Sequence, residues 1–162
     1  MTRLLLIALL TAQFLNAADQ LVGTWVLNHK SSRYRPGPPP ISQTRVYRED
    51  AGGITATVIT VTADGKSTTA EFAENYDGRV HPVIGSPDYD GIKMRRLSNY
   101  QSESELVHAG RVIVKTTRQV SGDGKTLTII FDSTIDEGTP VHNIVVYDRQ
   151  EQLPSNEADR EK

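Results

Sequence analysis

The chain has 162 residues, no cysteine and a formal charge of −2. That length fits one domain. The missing thiols exclude disulfides, cysteine catalysis and thiolate metal centres, and the mixed charge signs leave no basic stripe for nucleic acid.

The amino terminus opens with Arg3, runs through apolar Leu4 to Leu10, and ends on small residues at Ala17 and Ala18. Residues 1–18 read as a signal peptide. The run is too short for a membrane span, which takes about 20 apolar residues. The mature protein is therefore expected to be soluble, and secreted or periplasmic.

From "LVGTWVLN" onward the chain alternates short segments rich in Val, Ile, Thr, Tyr and Phe with glycine-bearing turns. Gly52, Gly65, Gly78 and Gly91 recur every thirteen residues, and Gly110, Gly124 and Gly138 continue at similar spacing. Asp-Gly and Gly-Gly pairs suit tight hairpins, whose backbone demands positive φ. Ten strands are predicted, at 21–28, 42–50, 53–62, 67–76, 79–84, 91–97, 102–108, 111–120, 125–134 and 140–149. The best helix candidate, "SNYQSESELVHA", has too few apolar residues to anchor a helical face.

Alternation assigns faces to these strands. Leu21, Trp25 and Leu27 share one side of the first, and Ala70, Phe72 and Tyr76 one side of the fourth. Val112, Val114, Thr116, Arg118 and Val120 share a side of the eighth, and Leu127, Ile129 and Phe131 a side of the ninth. With no helices to cover such a sheet, closing it on itself hides the apolar face and removes the edges. The predicted fold is all-β, an up-and-down antiparallel barrel of about ten strands over residues 19–150.

Two segments break the pattern. "HKSSRYRPGPPPIS" holds four of the eight prolines. It reads as an extended mouth or crossover segment between the first two strands, since proline fixes φ and lacks a donor. Residues 151–162 are charged and almost free of apolar side chains, the composition of a disordered tail.

The "GTW" start, the meander and the closing "VVYDRQ" resemble the calycin superfamily, the lipocalins and fatty-acid-binding proteins. The chain also resembles bacterial exported lipocalin-like proteins with "GTW" starts and "GSPD" loops, which implies no settled activity. The superfamily resemblance implies that Trp25 plugs one end of the barrel and Arg149 packs on it, both structural roles. The last third, "ELVHAGRVIVKTTRQVSGDGKTLTIIFDST", looks closest to the fatty-acid-binding branch. There an arginine and a tyrosine at the positions of Arg118 and Tyr147 hold a ligand carboxylate, so both are candidate ligand-binding residues. The final-strand arginine of that branch is absent, with Val145 in its place, and its helical lid is replaced by the proline-rich segment.

Arg118 admits three readings, because an inward guanidinium must be paired. It meets an anionic ligand, it pairs with an internal acid such as Glu71 or Glu74, or a bulge turns it to solvent. His29, His81, His108 and His142 are scattered without ligand spacing, so no metal is expected. "SPDYDG" lacks the ligands of a calcium loop. No nucleophile elbow or phosphate loop is present, and neither enzyme activity nor a cofactor is expected. The reading is a carrier or sensor of a small hydrophobic, fatty-acid-like or otherwise anionic ligand in the barrel. Its rival is an interaction module whose barrel is filled.

Overall fold

The computed structural model describes residues 19–51, 53–133 and 140–151. Residues 1–18, where a signal peptide is expected, the tail from residue 152, and the turn positions Gly52 and Gly138 lie outside the described residues. Ten strands run in chain order: β1 (Gly23–Leu27), β2 (Ser42–Asp50), β3 (Gly53–Val61), β4 (Ser67–Ala73), β5 (Val80–Pro82), β6 (Gly91–Arg96), β7 (Gln101–His108), β8 (Arg111–Val120), β9 (Thr126–Ser133) and β10 (Val141–Arg149). All pair antiparallel in one sheet, ordered β4-β3-β2-β1-β10-β9-β8-β7-β6-β5. Among the described residues no helix is long and apolar enough to cross a membrane.

The sheet is a nearly closed barrel. Chain neighbours pair throughout except β4 with β5, and β1 joins β10 through Trp25–Arg149 and Leu27–Tyr147. The remaining seam lies between β4 and β5. It is crossed at Glu71 and Ile84, whose backbones exchange two hydrogen bonds of 2.9 Å. Next to that bridge the chain passes so close to β4 that a Cβ on Gly85 would stand 2.2 Å from the Thr69 carbonyl oxygen. Gly85 also has φ +81, a conformation that side-chain-bearing residues resist.

Period-two alternation places the core. Trp25, Tyr47, Tyr147, Met94, Leu127 and Ile129 are the largest fully buried side chains, so the barrel shaft is filled by side chains. Ala56, Ala70, Phe72 and Val120 pack around them. The predicted inward face of β8 holds at Thr116, Arg118 and Val120, whereas Val112 is 49% exposed. The register between β7 and β8 shifts at Leu106/Val107, and the bulge turns the start of β8 outward. The "SNYQSESELVHA" stretch contains β7, with Ser102, Ser104 and Leu106 on its buried side. Gly91 opens β6 rather than sitting in a hairpin tip, and the preceding loop folds in so that Val83 donates to the Asp90 carbonyl at 2.9 Å.

The proline-rich segment has a defined job. β1 stops at Leu27, and the chain beyond it continues along β10 as a strap. Asn28 N–H donates to the Val146 carbonyl at 2.8 Å, Arg33 and Ile144 exchange backbone bonds of 2.7 and 2.9 Å, and His142 N–H donates to the Arg35 carbonyl at 2.9 Å. Past the prolines, Ile41 N–H donates to the Val61 carbonyl at 2.8 Å, so the strap crosses the barrel mouth from β10 to β3.

Candidate functional site

Two ends and two internal arginines organise the interior. At the end carrying the amino-terminal segment, Trp25 is fully buried and its indole N–H donates to the Leu21 carbonyl at 2.8 Å. The Arg149 guanidinium lies 4.1 Å from the Trp25 ring centroid, a cation–π geometry. Its Nη1 donates to the Val22 carbonyl at 2.6 Å and its Nε to that of Gly124 at 2.5 Å. Gly23 leaves room for this side chain, since a Cβ there would stand 2.6 Å from Nη1.

Arg118 is in the internal ion pair, the second of its three readings, and the acid is Glu74. Ala70, Phe72 and Glu74 share one parity of β4 and its extension, and Glu74 is fixed there by its N–H donating to the Ile54 carbonyl at 2.8 Å. Arg118 Nη1 and Nη2 each donate to a Glu74 carboxylate oxygen at 2.6 Å, and Nε donates to Ser102 Oγ at 3.1 Å. Burial works against the Arg118 charge, but the Glu74 carboxylate outweighs it and raises the guanidinium pKa. Glu71, on the opposite parity, is exposed and serves the seam through its backbone. The Arg118 donors are committed within the protein.

Sequence reasoning missed Arg45, the second internal arginine. In "SQTRVYRED" the alternation puts Gln43, Arg45 and Tyr47 on one face of β2, and that parity was the signal available. Arg45 is 7% exposed and pairs in register with Trp25. Its Cζ lies 5.2 Å from the Tyr147 ring centroid, and Nη1 donates to the Tyr47 hydroxyl at 3.5 Å, the outer limit for a hydrogen bond. Its buried Nε has no hydrogen-bond partner. Burial holds the Tyr34, Tyr89 and Tyr147 phenols above the usual tyrosine range, against the pull of Arg45. They stay neutral near pH 7; the surrounding phenols still outweigh burial and raise the guanidinium pKa, but among the described residues no carboxylate pairs with Arg45.

Above Arg45 the barrel opens under the strap. A pocket of about 260 Å³ lies there. Its apolar wall is Tyr34, Pro38 and Pro40 from the strap, with Phe131 from β9 and Val145 from β10. Its polar lining includes Gln43, Thr60 and Asn143. Gln43 Nε2 donates to Thr60 Oγ1 at 2.7 Å, and the Tyr147 hydroxyl donates to Gln43 Oε1. Tyr147 itself is fully buried, one layer below the pocket. Trp25 and Arg149 are not among the residues lining it, and Arg118 lines a separate recess that holds about 10 Å³.

Among the described residues, no three His, Asp or Glu side chains converge on a metal-sized site. The exposed His81–Asp77 and His142–Asp132 pairs stand apart from the pocket. Comparison with known proteins returns no matching family model, no matching curated protein and no matching solved structure.

Proposed function

We propose that this protein is an exported carrier or sensor of the lipocalin-like kind, taking a small, mostly apolar ligand into the barrel mouth. The observation that carries this reading is the pocket of about 260 Å³, an apolar-walled concavity with a few convergent polar groups. The "GTW" start and the meander ending in "VVYDRQ" support the calycin kinship. The strap supports the carrier reading: Tyr34, Pro38 and Pro40 line the pocket from the segment that crosses the opening.

A second reading has its own observation. Below the pocket, Tyr147, Leu127, Ile129, Met94 and Trp25 fill the shaft, as expected of a structural or interaction module with no ligand.

Titration with the uncharged fluorophore Nile red separates the two. The carrier reading expects saturable one-to-one binding by the full chain, and its loss in Thr60→Trp, which fills the pocket while the β-sheet circular dichroism persists. Absence of saturable binding, or equal binding by the filled variant, supports the interaction module instead.

A further inference from the structure

We infer that the mouth pocket selects a compact carboxylate, one carrying a ring or a short branched chain, and disfavours long acyl chains. The inference rests on the carrier reading and deepens it.

Charge gives the first half. Among the described residues the buried ionised side chains are Arg45, Arg118 and Glu74. Glu74 is spent on Arg118, so one positive charge remains without a carboxylate. Arg45 is that charge: its Nε lacks any partner, and its Nη1 reaches the Tyr47 hydroxyl only at 3.5 Å. A buried cation of this kind is stabilised by an anion in the same low-dielectric space. Gln43 connects the two places. It lines the pocket, it sits one inward position along β2 from Arg45, and it accepts from the Tyr147 hydroxyl whose ring faces Arg45. Tyr34, another wall residue, also feels the Arg45 charge. A carboxylate seated against Gln43 would sit one inward β2 position from Arg45.

Shape gives the second half. The shaft beneath is occupied by Tyr147, Leu127, Ile129 and Met94, each under 2% exposed. The Arg118–Glu74 pair lies buried beyond the pocket lining, so no channel remains for an extended chain. The walls are flat faces, Tyr34, Phe131, Pro38 and Pro40, which suit a planar or compact apolar body.

The test uses the full chain with four probes: naphthalene-2-carboxylate, its carboxamide, palmitate and Nile red. Wild-type protein is expected to bind the acid at least about tenfold more tightly than the amide, about 1.4 kcal/mol of attraction to a buried cation that has no carboxylate partner. Palmitate is expected to be the weaker acid. Arg45→Gln should abolish the preference for acid over amide while keeping Nile red binding, and Arg45→Lys should retain part of it. Equal affinity for acid and amide overturns the inference without any variant, as does palmitate binding tightest, or a preference that survives in Arg45→Gln. Failure of all four probes, Nile red included, rejects the carrier reading itself.

Discussion

Glu74 reaches from the end of β4 to Arg118 on β8, and each of its carboxylate oxygens accepts from a separate guanidinium nitrogen at 2.6 Å. Both side chains are almost wholly buried, at 0% and 4% exposure. A pair of this kind is costly to break and cheap to replace, because removing one partner strands the other charge. Glu74→Gln or Arg118→Met alone is expected to destabilise the barrel by about 3–5 kcal/mol, and the double variant Glu74→Leu/Arg118→Met should recover most of that loss. Urea denaturation of the two singles and the double checks this. Additive losses in the double variant would contradict it.

The seam is the second point of leverage. A Cβ on Gly85 would overlap the Thr69 carbonyl oxygen, and φ there is +81. Gly65 has a similar φ of +83 with open space around it. Gly85→Ala is therefore expected to cost more than about 2 kcal/mol, and Gly65→Ala about 1 kcal/mol, the conformational part alone. Hydrogen exchange should show the Glu71 and Ile84 amides losing protection in the first variant and keeping it in the second.

Acid should weaken the turns. Asp64, Asp77 and Asp123 each have a pKa lowered from 3.8. The main causes are the Lys66 side chain at Asp64, the Arg79 N–H at Asp77 and the Ser121 hydroxyl at Asp123. Carboxylates depressed by folding contribute stability that is present above their unfolded pKa and lost as pH falls through the folded one. Thermal melts should drop as pH falls below about 4, and the triple Asp→Asn variant should fall less steeply there. Equal slopes would show that these turns carry no acid sensitivity.

The strand pattern was legible in the sequence because hairpin turns and period-two alternation are local signals. Trp25, Leu27, Phe72, Leu127 and Ile129 all occupy the inward positions that alternation assigned them. Val112 escaped because a bulge depends on the partner strand β7, which alternation within β8 cannot register. Arg118 was visible as an inward cation, but its acid lay forty-four positions away, and choosing Glu74 over Glu71 required the barrel to close. Arg45 was hidden differently. It shares the inward parity of Gln43 and Tyr47, yet "TRVYRED" reads as a charged, solvated strand until burial is known. The pocket was least legible of all. It is built from the strap, β2, β3, β9 and β10 at once, and no local window contains it.

A carrier of this kind must hold a small molecule in the barrel mouth. Native mass spectrometry of the protein purified from its own source cells, beside Thr60→Trp prepared identically, measures this. Wild-type protein is predicted to carry a compact acidic adduct that the filled variant lacks. Wild-type protein that flies bare, and stays bare after incubation with the acid probe, would contradict the account.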